Sequence, residues 1–398
     1  MSDGYYNDPI LEVPWNSDGW DCAIRDRRDI GMFGRVLYTP SRLLVDSAAA
    51  AREDVRAALN RVKAESSRCP AAATANRLGL TLFTAPDHTL IDTVRRIRDC
   101  APGSASLEYV WVPGGNRIHG DDEPEPTGPL DFTARSAAGA GLTIFVLDTG
   151  IAPSVPFNID QADIRPVDTE VPDEDADHVR DYAAGHGTHV AGLVARAAPG
   201  ARIVPRRMML TPVGMASELD SAQAILDAGA GGADLINCSW GGTTLDDAPP
   251  LATARAIEQL PAGTIVVAAA GNSFVPQPTW PAACNGVIAV GAVGEDSSGN
   301  WLRTDFSNYG PWVDCCAPGV DVASTFLTWT DGDGDPVFEG FATWTGTSMS
   351  CPQVTGAIAA LATRDAITPS AAAYRLVFDP ARTKIGPVGT LVVPTQLP

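Results

Sequence analysis

Apolar and polar positions divide the chain into two stretches with different rhythms. Between Arg35 and Val112, VLYTPSRLLV, LGLTLFTA and LEYVWV are rich in β-branched and aromatic residues and predict strands. AAAAREDVRAALNRVKAE and LIDTVRRIRDC between them repeat apolar residues at helical spacing and predict helices. The result is a small α/β unit. PGGNRIHGDDEPEPTGPLD then interrupts the pattern with Pro, Gly and acid, and predicts a linker over 113–131.

Beyond the linker the apolar runs LTIFVL, RIVP, ADLINCS, TIVVAAA and VIAVGAV are continuous and not alternating. Continuous runs imply burial on both faces, and so a mainly parallel sheet covered by helices. In such sheets ligands bind at the carboxyl ends of the strands. The expected organisation is an unassigned segment 1–34, a small α/β domain 35–112, the linker 113–131 and an α/β domain 132–398. Late in the chain TFLTW and FATW flank DGDGD, residues 331–335. They predict a hairpin; the alternate carboxylates resemble the start of a calcium loop, but Glu339 comes too early for its twelfth position.

With 398 residues, 45% of them hydrophobic and 19% charged, the chain can bury a sizeable core. A formal net charge of −20 excludes a nucleic-acid partner, because phosphate binding needs clustered Lys and Arg. Much of the acidity falls between Asp121 and Asp181, including Asp173, Glu174, Asp175 and Asp177, and is expected to be a solvated loop. The N-terminus lacks the basic start and apolar stretch of a secretory signal, and no apolar run approaches the roughly 18 residues of a membrane span. A cytoplasmic monomer without a membrane partner is therefore expected. The eight cysteines are scattered without a CxxC pair, and Cys238 and Cys351 are expected to be free core thiols. Cys315 and Cys316 are expected to point to opposite faces of a strand.

Three motifs carry chemistry. LTIFVLDTGI delivers Asp148 to the end of a buried strand, where a carboxylate can orient an imidazole. A DTG also occurs in aspartic proteases, but those need a second such motif, and none is present. Gly185-His186-Gly187-Thr188-His189 surrounds His186 with small residues at the start of an apolar helix. His186 and His189 as a metal pair would lack both the Glu of HExxH and a third ligand. Gly346-Thr347-Ser348-Met349-Ser350-Cys351-Pro352 leads into QVTGAIAALAT, with Pro352 expected in the first helical turn. Ser348 then lies at a helix N-terminus, where its own N–H and the helix dipole favour an oxyanion. TIVVAAAGNS places Asn272 after another strand, as a second oxyanion donor.

DTG, HGTHVAG, AAAGN and GTSMSCP, in the order Asp, His, Asn, Ser, resemble the subtilisin-like serine protease family (peptidase S8) from Thr143 to Arg364. The resemblance implies a three-layer α/β sandwich with a mainly parallel sheet, a triad of Asp148, His186 and Ser348, and an oxyanion hole lined by Asn272. It also implies a substrate-binding strand through Ser239, Trp240 and Gly241, faced by Ala269, Ala270 and Gly271. Peptide hydrolysis through an acyl-enzyme on Ser348 would follow, on a protein or peptide substrate and with no cofactor required. Gln353, Ser350-Cys351 and Trp240 depart from the family pattern, where His, a smaller pair and Leu are more usual. An α/β-hydrolase esterase would need a GxSxG elbow and the order Ser, Asp, His; an inert peptide-binding relative would lack one of the catalytic groups. The 35–112 unit resembles the pro-domain that precedes such proteases as folding template and inhibitor, with cleavage expected between Pro113 and Leu130.

Overall fold

The structure, a computed structural model, describes residues 31–33, 35–114, 123–132, 136–174, 176, 178–209, 214–330 and 337–394. The DGDGD turn and most of the N-terminal segment lie outside them.

In the N-terminal part of the chain, β1 (Val36–Asp46) pairs antiparallel with β2 (Leu80–Thr84) and with β3 (Ala105–Pro113). The helices α1 (Glu53–Arg61), α2 (Pro70–Arg77) and α3 (Leu90–Cys100) complete it. The long helix expected from AAAAREDVRAALNRVKAE is broken, because Arg52 adopts an extended conformation ahead of α1. Proline at the start of α2 suits a first helical turn, where a missing N–H costs nothing.

The large domain is an α/β fold around a largely parallel sheet. Its strands are β4 (Thr143–Asp148), β5 (Arg202–Arg207), β7 (Leu235–Cys238), β9 (Ile265–Ala269), β10 (Val287–Glu295) and β11 (Cys315–Pro318). They lie in the order β11-β10-β9-β7-β4-β5, each parallel to its neighbour. Both faces are covered, as the continuous apolar runs require. Ile144 and Val146 pack with Val190 and Val194 of α4 (His186–Ala197) and with Val354 and Ile358 of α7 (Thr347–Asp365). Phe145 and Leu147 face the other way, toward Ile225 of α5 (Glu218–Ala230) and Ala256 of α6 (Leu251–Glu258). Cys315 and Cys316 likewise fall into separate apolar clusters, and the buried Cys238 and Cys351 are free thiols. The hairpin is present as β12 (Val322–Trp329) against β13 (Phe338–Trp344). The expected linker is less open than its composition implied: Pro113 finishes β3, and Glu125 pairs with Thr343 of β13.

One strand joins the N-terminal sheet to residues 216–241. β3 lies antiparallel between β6 (Ala216–Ser217) and β8 (Trp240–Gly241), with Trp111 opposite Ala216 and Trp240 opposite Pro113. Its alternate residues Leu107, Tyr109 and Trp111 are fully buried in a core that includes Ile225 and Ala252 of the large domain. Arg95–Asp246 and Arg255–Asp46 ion pairs, each 2.6 Å, cross the rim.

Candidate active site

Asp148 is the last residue of β4 and is fully buried. Its Oδ1 lies 2.7 Å from His186 Nδ1 and accepts from Thr149 N–H at 2.8 Å. An accepting carboxylate at Nδ1 fixes the tautomer and leaves Nε2 free to take a proton. His186 opens α4 behind Gly185, whose φ of 90° and contact with the Phe326 ring exclude any side chain. Trp344 stands edge-on to the His186 ring, with centroids 5.3 Å apart.

A buried carboxylate not found by sequence reasoning braces this pair. Glu170 accepts from Thr149 Oγ1 at 2.5 Å, from Gly185 N–H at 2.7 Å and from Thr188 Oγ1. Thr149 Oγ1 in turn accepts from Gly187 N–H, and Thr188 Oγ1 from Ala152 N–H. The residue after Asp148 and the residues flanking His186 are thus tied through one side chain. Burial pushes the Glu170 carboxyl up, against the hydrogen bonds that pull it down. In sequence it is one more acid beside an acidic loop, with nothing to mark it.

His189, the other member of the rejected metal pair, is a core residue, pushed down to about 3 by burial first and then by His186. Among the described residues no three His, Cys, Asp or Glu side chains converge as metal ligands would.

Ser348 is in the first turn of α7, as expected, but Pro352 is in the second turn and not the first. Proline has no N–H for the carbonyl four residues back, and that carbonyl, Ser348 O, accepts from Ser239 Oγ at 3.0 Å instead. Ser348 Oγ donates to Ser239 O at 2.9 Å, and it makes no hydrogen bond to His186. A triad implies a hydroxyl bonded to the imidazole; in this structure the hydroxyl is turned to Ser239, just ahead of β8. Gly114, just beyond β3, donates its N–H to the same Ser239 O at 3.0 Å. A methyl group built on Gly114 would lie 3.2 Å from Ser348 Oγ and 2.5 Å from Asn272 Nδ2. The end of the small domain therefore fills the space in front of the serine.

Asn272 Oδ1 accepts from Thr347 N–H at 2.9 Å and from Thr347 Oγ1 at 2.8 Å. A backbone N–H can only donate, so the amide orientation is fixed, with Nδ2 toward Gly114 and Ser348. Trp240 and Gly241 pair with the end of β3, and Ala269, Ala270 and Gly271 are buried. Trp240 is fully buried in the shared core. Of the departures from the family pattern, Gln353 donates to Pro318 O and Met349 O, Ser350 donates to Ala317 O, and burial pushes the Cys351 thiol up to about 12.

Comparison with known proteins agrees with this geometry. Residues 139–382 match the model of the subtilase family of peptidases. A thermophilic serine proteinase from Bacillus sp. (strain AK1) is 34% identical over 269 residues, 64% of this chain and 60% of the relative. Subtilisin Savinase from Lederbergia lenta is 34% identical over 238 residues, 56% of this chain and 77% of the relative. The chain thus spans less than two thirds of the first of these and about three quarters of the second. Among solved structures, the keratinolytic enzyme fervidolysin from Fervidobacterium pennivorans, described as related to subtilisin, gives a TM-score of 0.57 at 22% identity. That alignment covers 90% of this chain and 60% of fervidolysin, and shows likeness of fold. These relatives also correct the cytoplasmic placement expected from the N-terminal sequence, because Savinase, the alkaline proteases and thermitase are secreted extracellular enzymes. No helix among the described residues is long and apolar enough to cross a membrane.

Proposed function

The chain belongs to the subtilase family, and from that membership we propose that it is a serine endopeptidase with Asp148, His186 and Ser348 as its catalytic triad. The observation that carries this reading is the buried Asp148–His186 hydrogen bond beside a serine at a helix N-terminus. Ser348 Oγ attacks the peptide carbonyl as its proton passes to His186 Nε2. The C–N bond then breaks, the amine leaves with that proton, and water repeats the cycle on the ester. Asn272 Nδ2 and the Ser348 N–H hold the oxyanion.

The small domain is the inhibitor of this site, joined to it by strand addition, a mode in which backbone hydrogen bonds supply affinity. Support comes from β3 between β6 and β8 and from Gly114 against Ser348 and Asn272. Release follows cleavage between Pro113 and Leu130. Intact mass of purified protein beside Ser348→Ala tests both points. Wild-type protein is expected to separate into two fragments cut in that segment and to hydrolyse peptides, while Ser348→Ala stays whole and inactive. A full-length wild-type species that is fully active leaves the domain as no inhibitor; fragments from Ser348→Ala by its own action remove the serine from the chemistry.

A further inference from the structure

Away from the catalytic residues, α4 and α7 border a hollow of about 600 Å³. The two helices touch where Gly356 faces Ala197, since a methyl group built on the glycine would lie 2.5 Å from Ala197 Cβ. Beside that contact the short side chains of Ala197, Ala357 and Ala360 leave the space between the helices unfilled, and Leu193 and Leu361 extend the apolar wall. On α7 the lining residues run from Gln353 through Ala357, Ala360 and Leu361 to Arg364, the spacing of one helical face. The helix rises about 16 Å over that span, so the hollow is a trough, with a volume inside the roughly 300–1,000 Å³ of small-molecule sites.

Its charge is the reverse of the molecule's. The chain carries 48 Asp and Glu against 28 Lys and Arg, yet among the described residues no carboxylate lines the trough and two guanidiniums do. Arg196, exposed in the last turn of α4, donates to Ala323 O at 2.8 Å, and no ion pair holds it among the described residues. On its other side Arg196 borders a second hollow that includes Asp131, and the two are not paired. Arg364, at the far end, shares Asp365 with Arg375, at 2.8 and 3.0 Å, so two cations meet one carboxylate there. At the opposite end Gln353, neutral where the family pattern more usually has His, spends its Nε2 on Pro318 O and Met349 O. An apolar trough with an unpaired guanidinium on its flank suits a linear apolar ligand with one anionic head. A carboxylate matches the paired N–H donors of arginine, whereas a peptide backbone would lose its hydrogen bonds against alanine and leucine.

We propose that this trough is a binding site for a fatty acid, with the acyl chain along Ala357, Ala360 and Leu361 and the carboxylate on Arg196. None of the lining residues belongs to the triad, the oxyanion hole or the strand seated at Ser348. The site lies along the two helices that carry His186 and Ser348 in their first turns, toward their other ends. It does not depend on the endopeptidase reading, so Ser348→Ala, which is expected to stay whole, is the protein to titrate.

Calorimetric titration with dodecanoate, below its micelle concentration, is expected to show one saturable site. Dodecyltrimethylammonium, with the same tail and a cationic head, should bind at least about tenfold more weakly, and Arg196→Gln should weaken dodecanoate by a similar factor, the loss of one charge-assisted hydrogen bond. Ala360→Phe, which puts a ring into the trough, should abolish the binding, with thermal unfolding as the check that the variant is folded; if it is not, Arg196→Gln decides alone. Absence of saturable binding, equal affinity for the two head groups, or dodecanoate binding that neither substitution changes overturns the proposal. A dimer in sedimentation that takes up no dodecanoate and that Ala360→Phe dissociates gives the face to a second copy of the chain, and overturns it as well.

Discussion

The two halves of the site are held in different ways. On the Asp148–His186 side every link is internal: a buried carboxylate, an imidazole 2.7 Å away, and Glu170 tying the backbone on both sides. On the Ser348 side the partner is Ser239, just ahead of β8, since Ser348 and Ser239 exchange hydrogen bonds through each other's side chains and carbonyls. The Asp148–His186 pair is thus preset by the fold, whereas Ser348 shares the acceptor Ser239 O with Gly114. Gly114 holds that acceptor in this structure. Departure of the strand would free Ser239 O from one donor.

Breaking each half in turn sharpens the contrast. Asp148→Asn removes the tautomer lock and is expected to lower kcat by about 10⁴-fold with KM little changed, as in other serine proteases with this constellation; steady-state kinetics on a cleaved peptide measure it. Asn272→Ala should cost roughly 10²–10³ in kcat, the loss known for such a donor in a subtilisin, with fluorophosphonate labelling less affected than in the Asp148 variant. Glu170→Gln cannot accept from all three donors. One charge-assisted hydrogen bond of about 1.5–3 kcal/mol is weakened, so roughly a tenfold fall in kcat is expected, without a change in KM, in steady-state kinetics on the same peptide.

The smallest effect concerns the interface. Glu218 is fully buried and accepts from Tyr109 N–H of β3 and from Ala252 and Thr253 N–H at the start of α6. Burial pushes its carboxyl from 4.5 up to about 8. A folded-state pKa above the unfolded one means the folded chain binds the extra proton, so the contribution is full below about 4.5 and is lost as pH rises through about 8. Thermal unfolding of wild type and Glu218→Gln should therefore diverge across that window, with wild type losing ground to the variant as pH rises. Parallel curves would place the carboxyl's ordinary titration below it.

The sequence made the catalytic side legible because each residue ends or begins an element with its own pattern. LTIFVL had to be a buried strand, and the small residues around His186 had to let a helix pack closely. Glu170 carries no such pattern: a carboxylate in an acid-rich loop reads as solvated until the fold closes over it. The hydrogen bonding of Ser348 was hidden for another reason. It depends on a proline's missing donor and on Ser239, 109 positions away in the chain, and the second relation is not local. The break before α1 was lost because alanines and charged residues continue the helical rhythm straight through Arg52. In the linker, Pro and acid concealed a short pairing at Glu125, where backbone and not side chains makes the contact.

The nucleophile is tested most directly by treating the protein with a fluorophosphonate and mapping the adduct by peptide mass. One adduct is expected, on Ser348, and His186→Ala abolishes it. A protein that cleaves peptides but carries the adduct on another residue, such as Ser350, or carries none, contradicts it.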